Sequence, residues 1–259
     1  MAMQSNSIKL SIITVTYNAL PLLKGTASSV ERQKCAGVEY LVIDGNSSDG
    51  TKEFLEGSNT VDRYISEPDK GLYDAMNKAI DFANGQMIWF VNAGDHIYGK
   101  DTLNKLVDSI DSDTDVVYGE VMLVNEDRPE MGIRSELTTQ QLPKKLSWRS
   151  MRFGMVVCHQ GFVVNKSIAP KYKSDFGLTA DIDWVIECLK SAQSVKYLDS
   201  ILASYLQGGL SKQQFKQSMG SRFKVLRHHF GLLNTLFAHI FIIWRAVVFK
   251  VSRIGKPSY

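Results

Sequence analysis

Along the first hundred positions, short unbroken apolar runs alternate with longer stretches in which apolar residues are spaced. "LSIITV" (10–15) and "EYLVID" (39–44) are compact, rich in β-branched side chains and bounded by polar residues, as strands covered on both faces should be. "RYIS" (63–66) and "MIWFV" (87–91) fit two further strands. Between them a helical pattern follows Pro21 and fades near Gln33, and Ser48-Asp49 is placed to cap a short helix through Phe54 and Leu55. Leu72, Met76, Ala79, Ile80 and Ala83 recur at helical spacing, with Gly85 as the stop. Strands alternating with helices predict an open, mostly parallel α/β sheet flanked by helices.

The next hundred residues are less regular. "DVVYGEVMLV" (115–124) predicts a strand and "ADIDWVIECLKSAQ" (180–193) a helix, whereas Pro129 to Ser150 is polar with little periodicity, as in a loop. From Phe230 onward Leu233, Leu236, Phe237, Ile240, Trp244, Val247, Val248 and Val251 follow a three-to-four spacing. The longest stretch without a formal charge, Phe230 to Trp244, falls short of the roughly 20 residues that cross a bilayer. An amphipathic helix lying in a membrane interface is the expectation, and a helix packed on the main domain or on a dimer partner is the alternative.

Charge sharpens that division. Nine of the 30 basic residues and none of the 27 acidic ones lie beyond Asp199, so the net charge of +3 combines an acidic body with a basic tail. Two parts so different suggest two different partners. With 259 residues, 44% hydrophobic and 22% charged, the chain suits one large domain or one and a half. Cys35, Cys158 and Cys188 have no ligand-like spacing, which argues against a disulfide framework or zinc site and for a reducing compartment. "MAMQSNSIKL" does not read as a signal peptide.

The chemistry gathers where an α/β sheet binds ligands, beyond the carboxyl ends of its strands. The four strands end in Thr16-Tyr17-Asn18, in Asp44 to Gly50, in Glu67 to Gly71, and in Asn92-Ala93-Gly94-Asp95. Carboxylates converging on one rim need a compensating cation or proton. There is no G-x-G-x-x-G after the first strand and no G-x-x-x-x-G-K-[ST], so no glycine loop cradles phosphates here. Mg²⁺ or Mn²⁺ bridging a carboxylate to diphosphate oxygens would satisfy both facts.

"SIITVTYNALPLL", "EYLVIDGNSSDGT", "EPDKGLYDAMNKAI" and "WFVNAGD", in this order and spacing, resemble the N-terminal half of family-2 glycosyltransferases of the GT-A fold. "CHQGFVV" and "TADIDW" resemble their acceptor-side segments, and the likeness spans roughly residues 8–212. It implies that Asp44 hydrogen-bonds the nucleotide base and that Thr16, Tyr17 and Asn18 line the nucleotide pocket. Asp49 is a further acidic position of the second loop, with capping of the next helix as its alternative role. Lys70 to Asn77 would lie beside the ribose and sugar, with Asp74 and Asn77 on one helix face. Asp95 corresponds to the last residue of the D-x-D metal motif, with Asn92, Ala93 and Gly94 leading to it. Asp181 corresponds to the general base, and His159 and Gln160 to an acceptor-side pair. Asp183, two residues beyond Asp181, competes for the role of base, but on a helix only one of the two can face the pocket.

Two departures qualify the likeness. Only one carboxylate remains in the D-x-D segment, so weak metal binding without nucleotide is expected. No Q-x-x-R-W segment is present, and "YLQGGLS" (205–211) stands where a loop could cover the diphosphate; this favours transfer of one sugar over polymerisation. The reading is therefore an inverting, hexosyl-type transferase using Mn²⁺ or Mg²⁺ and a nucleotide diphosphate sugar, UDP-linked by expectation. Its acceptor would be a hydroxyl of a lipid-linked glycan in envelope polysaccharide or lipopolysaccharide assembly. It would sit in the cytoplasm at the inner face of the membrane, with no nucleic-acid partner. Residues 8–99 would bind the donor and 100–212 the acceptor, within a domain of residues 1–212, and the tail 213–259 would meet the membrane. A sugar nucleotidyltransferase, or a non-catalytic sugar- or lipid-binding protein, are the alternatives. Several residues carry plainer readings: a satisfied core histidine is the alternative for His159, and His96 is expected exposed, Trp89 and Trp184 in the core, and His228-His229 on a solvated face.

Overall fold

The computed structural model describes residues 8–208 and 215–252. Strands β1 (Leu10–Thr16), β2 (Val38–Asp44), β3 (Arg63–Ser66) and β4 (Met87–Phe90) form where the apolar runs place them. They pair in parallel in the order β3-β2-β1-β4. The register sets Thr16 beside Asp44 and Asp44 beside Ser66, so three strands deliver their last side chains to one edge.

The sheet continues with β5 (His96–Ile97), β6 (Val116–Val124), β7 (Glu130–Ile133), β8 (Phe162–Asn165) and β9 (Val195–Leu206). Its order beyond β4 is β8-β6-β9-β5, with β7 on β6. Direction reverses at β4–β8, and among the described residues β6–β9 is the one parallel pair of this half, so the sheet as a whole is mixed. Its register shifts around Gly119 in β6, where a Cβ would stand 2.6 Å from the Ser200 carbonyl oxygen. Gly161 makes the matching approach: a Cβ there would stand 2.6 Å from the Gly119 carbonyl oxygen. Such close backbone contacts require glycine and bend the strands.

Alternation within each strand divides the core. Leu10, Ile12, Tyr40, Val42 and Trp89 pack toward α1 (Leu20–Glu31), α2 (Thr51–Glu56) and α4 (Thr102–Asp108). Ile13, Val15, Leu41, Ile43 and Phe90 pack toward α3 (Leu72–Phe82) and α6 (Ala180–Ser191). The expected loop at 129–150 holds β7, a helical turn α5 (Arg134–Leu137) and the core residue Leu146. One buried phenol ties it down: the Tyr118 hydroxyl donates to Pro143 O (2.7 Å) and accepts from Leu146 N (3.1 Å). A polar composition hid this order because the anchor lies in another strand.

The tail divides into two unlike helices. In α7 (Phe215–Phe230), Val225 and Leu226 are fully buried and Phe230 stacks on Trp148. In α8 (Leu232–Val251) the pattern is inverted: Thr235 and Ala238 are buried, while Leu233 (73% exposed), Phe237 (72%), Ile240, Ile243, Trp244, Val247 and Val251 face outward. Arg245 anchors this helix to Phe153 O (3.2 Å). By length and composition α8 suffices to cross a membrane, which Phe230 to Trp244 alone did not suggest. Of the basic tail residues, Lys212, Arg253 and Lys256 lie outside the described residues, as do positions 209–211 of "YLQGGLS" and the side chain of Lys216.

Candidate active site

The strand tips close over a cavity of about 530 Å³. Asn92, Ala93 and Asp95 line it from the turn after β4, His159 and Gln160 from the turn before β8, and Asp181 from the first turn of α6. Tyr205 to Gly208 line it from the end of β9. Asp95 and Asp181, far apart in sequence, thus share one space.

Val91 still hydrogen-bonds to Ile13 O, and the chain then turns, with Asp95 N donating to Asn92 O (2.9 Å). Gly94 takes φ 106°, a left-handed conformation that favours glycine, and a Cβ there would press on Leu206 at 3.2 Å. The turn delivers Asp95 into the interior. Its Oδ1 accepts from Leu206 N at 3.0 Å, and the Gln160 side chain also donates toward it. Burial pushes its carboxyl up to about 7, against the pull of those donors and of Arg128. Beside it, Asn92 Oδ1 is buried with no partner. A buried carboxylate and an orphaned amide oxygen in one turn form an oxygen-donor set, which fits a hard divalent cation.

Asp181 is half-buried, and Ile182 N donates to it at 2.9 Å. Burial raises its carboxyl to about 6; the Ile182 N–H, Arg222 and Arg134 oppose the rise. Asp183 is buried and points elsewhere, accepting from His229 Nε2 (2.7 Å) with Lys173 at 3.6 Å. The helical geometry therefore leaves Asp181 alone of the pair in the cavity.

The remaining positions divide into loop builders and rim residues. Asp44 is buried, and both its oxygens are engaged, by the Ser47 hydroxyl and N–H and by the Ser66 hydroxyl (2.7 Å). Asn18, at φ 47°, accepts from Ser48 N (2.9 Å), while its own N–H donates to Ser47 Oγ (2.7 Å). Asp49 accepts from Leu20 N (2.8 Å) at the start of α1 and from the Thr51 hydroxyl (2.6 Å) at the start of α2, and these bonds hold its carboxyl below the usual range. Thr16 Oγ1 is buried without a partner, and Tyr17 stands 65% exposed above Gly45. Asp74 accepts from Lys70 N (3.0 Å) at the start of α3. Asn77 is occupied at both ends of its amide by the backbone of Tyr172 (2.7 and 3.0 Å). None of these eight residues lines the cavity itself, and neither does Gly94.

His159 does line it, yet its ring is wedged among Phe90, Tyr172 and Trp184, with Nε2 bonded to the Tyr172 hydroxyl (2.7 Å). Burial lowers its pKa to about 4, so it stays neutral, as a satisfied core histidine should. Trp89 and Trp184 are core residues as expected. Two expectations fail. His96 is half-buried, with Nε2 partnerless and placed where a Cβ on Gly25 would come within 2.8 Å. His228 is exposed, but the His229 side chain is fully buried, because Asp183 and Glu187 on α6 face it. Asp183, Glu187, His228 and His229 group their ligand-type atoms within 4.8 Å. Lys190, 2.8 Å from His229 Nδ1, and Lys173 already place cations there, so the group works as an ion-paired clasp between α6 and α7.

Three arginines were not singled out by sequence. Arg128, at φ 70° in the β6–β7 turn, donates to Gly94 O at 2.6 Å and adds charge near Asp95. Arg134 and Arg222 line the cavity near Asp181. The sequence profile of glycosyl transferase family 2 matches residues 11–171. The chain belongs to family 2 of the glycosyltransferases. This glycosyltransferase is 31% identical over 213 residues to the PGL/p-HBAD biosynthesis glycosyltransferase of Mycobacterium bovis, covering 78% of each chain. Its GT-A fold matches that of TarS 1-349 from S. aureus in complex with UDP (TM-score 0.64, 17% identity, 85% of this chain and 65% of that one). It also matches a mannosyltransferase from Pyrobaculum calidifontis in complex with GDP-Man and Mn²⁺ (TM-score 0.63, 14% identity, 97% and 76%).

Proposed function

We propose that this glycosyltransferase moves one sugar, with inversion, from a UDP-sugar to a hydroxyl of a lipid-linked glycan at the inner face of a membrane. The observation that carries the reading is the convergence of Asp95 and Asp181 on one cavity. Residues 8–99 would bind the donor, with Tyr17 stacking beside the base and Asp44 recognising it once the Ser47 hydroxyl turns away. Asp95 and Asn92 would hold Mn²⁺ or Mg²⁺. Bound there, the ion supplies Lewis-acid stabilisation to the leaving diphosphate. Asp181 takes the proton of the acceptor hydroxyl as it attacks the anomeric carbon from the face opposite the leaving group. Gln160 donates to Asp95 and keeps its carboxylate oriented. Incubating the protein with a panel of nucleotide sugars, Mn²⁺ and a lipid-linked acceptor extract tests the reading. Nucleoside diphosphate release that requires acceptor supports it; diphosphate release would indicate a nucleotidyltransferase instead.

Support for the membrane comes from α8, which turns its small and polar residues inward and its apolar ones outward. Such a face, flanked by basic residues, suits an anionic lipid surface. The double variant Leu233→Asp/Phe237→Asp should bind phosphatidylglycerol vesicles at least about tenfold more weakly in sedimentation, since each side chain contributes roughly 1.5–3 kcal/mol on burial. Its UDP affinity should be unchanged. Undiminished vesicle binding would rule out this face.

A further inference from the structure

Arg222 belongs by sequence to the basic tail, yet α7 turns it inward. Ser218, Arg222, Val225, Leu226 and His229 form one stripe of that helix against the domain, and Ser218 and Arg222 both line the cavity. Across the same cavity stands Arg134 at the start of α5, clamped by Met155 O (2.6 Å) and Val156 O (3.2 Å). Those bonds use two of its five N–H donors and leave the others available. Among the described residues neither guanidinium has a carboxylate within salt-bridge distance, and Arg222 Nε is buried with no partner. Arg134 and Arg222 act on each other as like charges, with one carboxylate near them, Asp181, beyond salt-bridge reach; an oxyanion bound between them relieves that repulsion. A guanidinium fork matches the geometry of phosphate and carboxylate alike. The division of charge indicates where the anion belongs. Arg128 acts on Asp95, at the end assigned to the donor diphosphate, whereas Arg222 and Arg134 act on Asp181.

We propose that Arg134 and Arg222 form an oxyanion subsite on the acceptor side of the cavity, so that the acceptor carries a phosphate or carboxylate a few bonds from the hydroxyl that receives the sugar. This rests on the reading of Asp181 as the acceptor-side base. The same arginine links acceptor recognition to α7, and so to the adjoining apolar helix α8.

The full chain, saturated with UDP and Mn²⁺, is titrated calorimetrically with methyl phosphate, with methyl glucuronide and with neutral methyl glucoside. One of the two anions should bind and the glucoside should bind far less; which anion binds identifies the source of the charge. Arg222→Gln should weaken that binding about tenfold or more, Arg222→Lys should retain part of it, and UDP affinity should stay within about twofold of the parent. Equal anion binding by parent and Arg222→Gln overturns the proposal, as does absence of anion binding. So does an equal loss of UDP affinity, which would assign the guanidinium to the donor diphosphate. If UDP fails to bind the parent, the donor reading falls, and the same titration without nucleotide still decides the subsite.

Discussion

Asp181→Asn is expected to lower sugar transfer by about 10²–10⁴-fold while leaving UDP affinity unchanged. The carboxylate lies in the cavity on the first turn of α6, near two arginines and away from the β1–β2 edge where the nucleotide would sit. Amide replacement keeps the shape and removes the proton acceptor. The pH profile carries a second signature. A base must be ionised, and burial raises this carboxyl from 3.8 to about 6. The acidic limb of kcat/KM should therefore fall near pH 6, and the residual activity of the variant should lack that limb. Stability should move the other way. Because the folded-state pKa is raised, the fold favours the protonated form, and this group's contribution declines as pH rises from about 4 through about 6. The Asn variant escapes that loss, so at pH 7.5 it should melt no lower than the parent. Product formation, UDP calorimetry and melting curves check the three statements. Normal turnover would transfer the role away from Asp181.

The competition between Asp181 and Asp183 shows what helical geometry can decide. The two side chains diverge, and the buried one serves as the anchor for His229. Asp181 and the tail are therefore coupled through the first turn of α6. Arg222 and His229, seven residues apart, sit on one face of α7, the first reaching the cavity and the second the clasp. Whatever displaces α7 alters both the charge around Asp181 and the hold on Asp183.

The parallel half of the sheet was legible because its signals are local. β-branched runs, Gly85 and the carboxylates at strand tips each act within a few residues. The convergence of Asp95 and Asp181 was legible only through resemblance, since no spacing encodes a contact between β4 and α6. Arg134 escaped notice because it lies in a polar stretch whose order comes from Tyr118. Arg222 was absorbed into a count of basic tail residues, although a signal existed. Ser218, Val225, Leu226 and His229 surround it at helical spacing, and an arginine on an inward stripe must meet something polar. Asn77 illustrates the opposite case: the resemblance places it beside the ribose, and its amide is bonded at both ends to the Tyr172 backbone, a contact that no local pattern announces.

Asp95→Asn is expected to have an effect of the same order, lowering transfer by about 10³-fold or more if the several kcal/mol supplied by a bound Lewis acid are lost. The argument is one of donor count. The turn after β4 offers one carboxylate and one amide oxygen, and the carboxylate already accepts from Leu206 N and Gln160. An asparagine preserves volume and one acceptor oxygen but removes the charge that makes this set attractive to a divalent cation. With so few protein ligands, a bound ion would draw further oxygen donors from the diphosphate. The parent should therefore bind Mn²⁺ weakly alone, and UDP and Mn²⁺ should each strengthen the binding of the other by the same factor. In thermal melts the pair should stabilise the parent beyond the sum of the two alone, by mass action on the native state. The variant should show only the small shift due to UDP. Tight Mn²⁺ binding to the nucleotide-free parent, or a full synergistic shift in Asp95→Asn, would mean that the metal is held by other residues.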